Sequence, residues 1–96
     1  MTEQEWLERL REEGITGLTV VHMDPNTVKE EHTHEVHTIH VILEGELTLV
    51  DAHASHTYVP QQRVNILKGT THVAKFGPDG CTMIVGVRDE ENRKWS

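Results

Sequence analysis

Cysteine is nearly absent from this 96-residue chain. Cys81 stands alone, so no intrachain disulfide can form, and a reduced compartment, the cytoplasm, is the natural setting. Cys81 itself reads as a small buried hydrophobe at the start of a strand rather than as a reactive thiol. Aromatic side chains make up only 4% of the residues and apolar ones 35%, so the core must be thin and self-association would help to bury area. No apolar run approaches the ~20 residues that a membrane helix needs. The acidic opening MTEQEWLERLREE lacks the apolar segment of a signal peptide. Positive charge is scarce as well. Nine Lys plus Arg against sixteen Asp plus Glu leave a formal net charge of −7 with His neutral. That excludes duplex nucleic acid and anionic membrane surfaces, both of which require clustered cations. The length supports one core and is too short for a complete dinucleotide-binding fold.

What the chain has in excess is histidine. There are eight, none arranged as a terminal tag, and four of them (His32, His34, His37 and His40) fall within nine residues. Two histidines one residue apart on a strand point to the same face, so His32 and His34 can converge on one point. Imidazole is the commonest protein ligand for transition metals. A third ligand from a separate strand would complete a site, and His72, which opens a strand after Gly69-Thr70-Thr71, is the candidate.

The surrounding pattern is that of a small all-β domain. Thr2 and Glu5 form a capping box for a helix within residues 1–14, with Trp6, Leu7 and Leu10 at helical spacing and Gly14 at its end. This stripe packs on the rest of the domain or on a second subunit. From Leu18 onward, short β-rich runs recur at 8–12-residue spacing. They cover Leu18–Val21, His32–Leu43, Leu47–Val50, His56–Val59, Val64–Leu67, His72–Phe76 and Thr82–Val87. Asp24-Pro25-Asn26, Glu44-Gly45-Glu46, Lys68-Gly69 and Gly77-Pro78-Asp79-Gly80 read as the connections. Residues 88–96 read as a charged tail, frayed or weakly helical.

These residues resemble a small bacterial cupin, a double-stranded β-helix or jelly roll. Against the first cupin motif, G(X)5HXH(X)3–4E(X)6G, His32 and His34 supply the pair and Gly45 the closing glycine. Asn26 stands at the opening glycine and Thr38 at the glutamate. Against the second, G(X)5PXG(X)2H(X)3N, Gly69 and His72 match. Gln61, Leu67 and Phe76 stand at the opening glycine, the proline and the asparagine. Residues 46–60 separate the motifs, a gap typical of the smallest members. The resemblance covers about residues 17–87 and implies one jelly-roll barrel domain with a short N-terminal helix, pairing as a homodimer through outer strands.

The resemblance also implies a divalent transition metal (Fe, Zn, Mn or Ni) held by His32, His34 and His72, acting on a small-molecule ligand. The family's glutamate is the fourth ligand, and the neutral hydroxyl of Thr38 is a weak replacement. On a regular strand Thr38, His40 and Ile42 face inward while His37, Ile39 and Val41 face away. His40 is then a fourth ligand, a base or a substrate contact; His37 belongs to the rim unless a bulge intervenes. Glu30, Glu31, Glu35 and Glu46 flank the cluster as solvated charges, any one of which could orient an imidazole. His22, His53 and His56 read as solvated strand or turn residues. A three-His set without the glutamate is similar to non-haem iron sites such as those of thiol dioxygenases and the β-diketone-cleaving enzyme. The alternatives are a non-catalytic metal or small-metabolite binding or sensing module, and a β-sandwich with an unused pocket.

Overall fold

The computed structural model describes residues 1–88; of the expected tail, only Arg88 lies among them. The chain opens with helix α1 (Glu3–Glu12). Its capping box is complete: the Glu5 amide donates to Thr2 Oγ1, and the Thr2 amide donates to Glu5 Oε1. Gly14, at φ +85°, carries the chain out of the helix in the left-handed conformation that glycine adopts without strain. Six strands follow: β1 (Ile15–Met23), β2 (Val28–Thr33), β3 (His37–Val50), β4 (Ser55–Tyr58), β5 (Arg63–Ile66) and β6 (Thr71–Arg88). All the pairings are antiparallel.

Two long strands, β3 and β6, organise the barrel because each serves two layers. The first half of β3 pairs with β5 and the second half with β4. Likewise the first part of β6 pairs with β2 and the last part with β1. Since β3 and β6 also pair with each other along their length, two layers result. One runs β1, the end of β6, the start of β3, β5. The other runs β2, the start of β6, the end of β3, β4. This is a jelly-roll architecture.

The two segments read as turns, Glu44-Gly45-Glu46 and Gly77-Pro78-Asp79-Gly80, are instead the crossing points of these long strands. Register slips on either side of Gly45, between Ile42 and Glu44 and between Gly45 and Leu47. Gly45 and Gly80 both have positive φ, and a Cβ on Gly45 would overlap the Gly80 carbonyl. The glycines are there for close backbone approach and bulged bends within continuous strands, not for hairpins. The strand expected over His32–Leu43 is likewise two strands, broken between Thr33 and His37.

Alternation along β3 sorts the core. Ile39 and Val41 point outward and are buried under α1 with Trp6, Leu10, Ile15 and Ile84. Ile42, Leu47, Ala74, Phe76, Cys81 and Met83 point inward between the layers. Residues 38–42 are therefore buried on both faces, Ile39, Val41 and Ile42 as apolar packing and Thr38 and His40 as buried polar groups. Cys81 is a core residue, and burial pushes its thiol pKa up. The helix packs on its own barrel.

Polar contacts strap α1 down. The indole Nε1 of Trp6 donates to Gln61 Oε1, and both guanidinium nitrogens of Arg63 donate to the Glu13 carboxylate at 3.0 Å. Arg63 holds the Glu13 carboxyl below its ordinary pKa. Stability from this pair is present above the ordinary glutamate pKa and is lost as pH falls through the lowered one. Arg63→Met should cost about 0.5–1 kcal/mol at pH 7, the range for a well-aligned surface pair. In chemical denaturation that difference should shrink towards pH 3.

Candidate metal centre

The three histidines singled out by spacing meet on the inner face of one layer. His32 on β2 lies directly opposite His72 on β6 in the register, with ring centroids 4.8 Å apart. His34, just past the end of β2, has its ring centroid 4.9 Å from that of His32 and 5.0 Å from that of His72. One ligand nitrogen from each ring can be chosen so that all three lie within 4.8 Å of one another. His34 Nε2 and His72 Nε2 are 3.3 Å apart. Two nitrogens bound to one ion at about 2.0–2.1 Å lie about 2.9–3.4 Å apart in octahedral or tetrahedral geometry, so this spacing fits a shared metal.

Local hydrogen bonds aim the rings. His32 Nδ1 donates to the Glu30 carbonyl at 2.8 Å, which leaves Nε2 as the lone-pair nitrogen. This acceptor is the main chain of Glu30, not one of the flanking carboxylates. The Gly69 amide donates to the His34 carbonyl, tying the turn that leads into His72 to the end of β2. His37 reinforces the same turn, its Nδ1 accepting from the Lys68 amide at 3.1 Å. Burial, and then the neighbouring imidazoles, lower the pKa of both His34 and His72. Both effects favour the neutral form that ligates metal.

His40 faces the triad from the other layer. Its ring centroid is 6.4 Å from that of His34, so it stands outside the convergent set. It is 9% exposed, with Nε2 3.3 Å from Thr38 Oγ1. Its Nδ1 is the one buried side-chain polar atom without a hydrogen-bond partner among the described residues. Burial, with the three facing imidazoles, lowers its pKa to about 4. Thr38 is buried beside it. By contrast His22, His53 and His56 are exposed, and His22 contacts Thr82.

Between the layers lies a cavity of about 260 Å³ that His32, His34, His40 and His72 all line. Its remaining walls are mostly apolar, with Val21, Met23, Leu49, Phe76, Met83 and Val85 among them. No carboxylate lines it, and Lys29 is its single Lys or Arg.

The backbone preserves the motif even where the residue types depart from it. Asn26 and Gln61, at the two opening-glycine positions, are the non-glycine residues with positive φ among the described residues, at +59° and +76°. Gly45 and Gly69, at the matching glycine positions, have φ of +77° and +86°. Asparagine enters this region readily, and Gln61 is held there while its side chain serves α1.

No family model matches the sequence, and no curated protein matches it significantly. Solved structures do. A cupin superfamily protein from Desulfitobacterium hafniense aligns with a TM-score of 0.64 at 16% identity, over 75% of this chain and 66% of that one. The fold is that of a cupin. Two other structural neighbours have larger chains. The DMSP lyase DddQ from Ruegeria pomeroyi aligns with a TM-score of 0.67 at 23% identity, over 76% of this chain but 38% of its own. The polyketide cyclase RemF from Streptomyces resistomycificus aligns at 0.61 and 28% identity, over 75% of this chain and 54% of its own. The chain therefore spans about two thirds of the first neighbour's length, under half of the second's and about half of the third's. Among its described residues, no helix is long and apolar enough to cross a membrane.

Proposed function

We propose that this cupin binds one divalent transition metal through His32, His34 and His72 and acts on a small chelating molecule in the adjoining cavity. The observation that carries the reading is the convergence of three imidazoles on the wall of an otherwise apolar cavity. Neutral ligands leave the ion's full positive charge in place, which favours an anionic chelator such as an enolate or thiolate. The metal supplies Lewis acidity and, if it is iron, redox chemistry towards O₂.

His40 is the proton-handling group. It is neutral at pH 7 and lines the cavity across from the three-His wall, with its buried Nδ1 unpartnered. Thr38 Oγ1 can donate to or accept from Nε2, so the ring can hold either tautomer as a proton arrives or leaves at Nδ1. The apolar walls exclude water and strengthen each polar contact to the substrate. The structural neighbours include a lyase and a cyclase, so the fold leaves the reaction type to the site. A homodimer belongs to the same reading, with sedimentation at twice the chain mass expected.

The test uses tag-free protein, stripped of metal and reloaded with Fe, Zn, Mn or Ni. Melting temperature should rise with at least one metal, since an ion bound only by the folded state stabilises it. The iron form should consume O₂ above the free-iron background with 2,4-pentanedione or a small thiol. Stabilisation without turnover leaves a metal-binding module, and no stabilisation by any of the four ions contradicts the reading.

A further inference from the structure

The inner face of β2 carries a charged residue that the strand's sequence alternation hides. Lys29 pairs with Ala74, and His32 pairs with His72. Lys29 and His32 are three positions apart, but Ala74 and His72 are only two. The register therefore slips by one residue between them. On a regular strand Lys29 and His32 would lie on opposite faces. The slip brings both to the face of His72 and Ala74, and both line the cavity. Re-aiming one side chain is what a single-residue bulge does next to a site. Lys29 thus stands two residues of β6 away from the His32–His72 pair, about 7 Å along the strand. It is exposed at the cavity margin.

From this geometry we infer that Lys29 is a specificity residue that selects a substrate bearing a second anionic group. The inference rests on the metal reading above and names the substrate class for it. One end of the molecule chelates the ion, the middle lies against the apolar walls, and a carboxylate at the far end meets the Lys29 ammonium. With no carboxylate in the lining, nothing else in the cavity neutralises that ammonium, and nothing repels an anion. The cavity's volume of about 260 Å³ suits a small acid.

Two matched hydroxamates test this on zinc-loaded full-length protein by titration calorimetry. Glutaric monohydroxamate carries a terminal carboxylate, and pentanohydroxamate ends in a methyl group. Both chelate through the same head. The wild type should prefer the carboxylate probe by about two- to fivefold, the scale of one solvated ion pair. Lys29→Met should abolish that preference while leaving metal content and affinity for pentanohydroxamate unchanged. Lys75→Met, on the outward face of β6 next to Ala74, should retain it. Equal affinities for the two probes in the wild type, or a preference surviving Lys29→Met, overturns the role of Lys29 while the metal reading stands. Failure of the protein to take up zinc overturns both, and the metal assay alone detects it.

Discussion

Alanine at His34 or at His72 will weaken divalent-metal binding by at least about 100-fold, while alanine at His53 will leave it unchanged. The size follows from ligand count. Removing even an outer partner of a ligand costs 10–100-fold in metal affinity, so losing one of three imidazoles costs more. The control is informative because His53 has the same side chain but lies exposed in a turn, where its amide donates to Asp51. Neither site variant should unfold the protein. His72 is buried, but truncation removes a group whose ionisation the site already disfavours. Competition with a chromophoric chelator reads the affinities, and circular dichroism confirms the fold. Equal behaviour of all three variants would place the metal elsewhere.

His40→Leu will flatten the acid sensitivity of the metal-free protein while removing its proton chemistry. At pH 7 the relief of the unpartnered Nδ1, worth about 1–3 kcal/mol, is offset by the Thr38 hydroxyl that loses its Nε2 partner, so the pH dependence is the readout. The sign of the pH effect follows from the lowered pKa. The unfolded ring titrates near the ordinary histidine value of 6.5 and the folded one at about 4. Between these values the unfolded chain binds more protons, so stability is lost as pH falls from about 6.5 towards 4. At pH 5 this amounts to about 2 kcal/mol. His40→Leu removes that share of the acid sensitivity and keeps the part due to His34 and His72. The gap in unfolding free energy between variant and wild type, in chelator, should therefore widen by about 2 kcal/mol from pH 7 to pH 5. Whatever reaction the wild type catalyses should fall by about 10²–10⁴-fold in the variant, the range for one general acid or base. A constant gap across that pH range would show that His40 is not the buried neutral ring described.

The triad was legible because the metal-site signal is a spacing, and spacing survives in sequence. His32 and His34 share a face by alternation, and His72 follows Gly69 at the motif's interval. The inward orientation of Thr38 and His40 was legible too, from simple alternation along the strand; that Ile39 and Val41 pack under α1 was not. What could not be read is register. The bulge that turns Lys29 inward depends on which residue of β6 sits opposite, and no local pattern encodes it. Glycine misled for a related reason. Gly45 and Gly80 carry turn chemistry, but here positive φ serves two continuous strands that approach too closely for a Cβ. Asn26 and Gln61 hide the opposite case, keeping a glycine conformation without glycine. The absence of a partner at His40 Nδ1 is a property of the assembled layers and has no sequence signal at all.

The central claim is that these three imidazoles themselves hold a metal, and X-ray absorption on the zinc- or iron-loaded wild type tests it most directly. The account predicts one equivalent of ion with three imidazole nitrogens at about 2.0–2.2 Å, the remaining positions being filled by oxygen donors. A loaded ion surrounded by oxygen donors without imidazole scattering, or less than about a tenth of an equivalent bound, would contradict it.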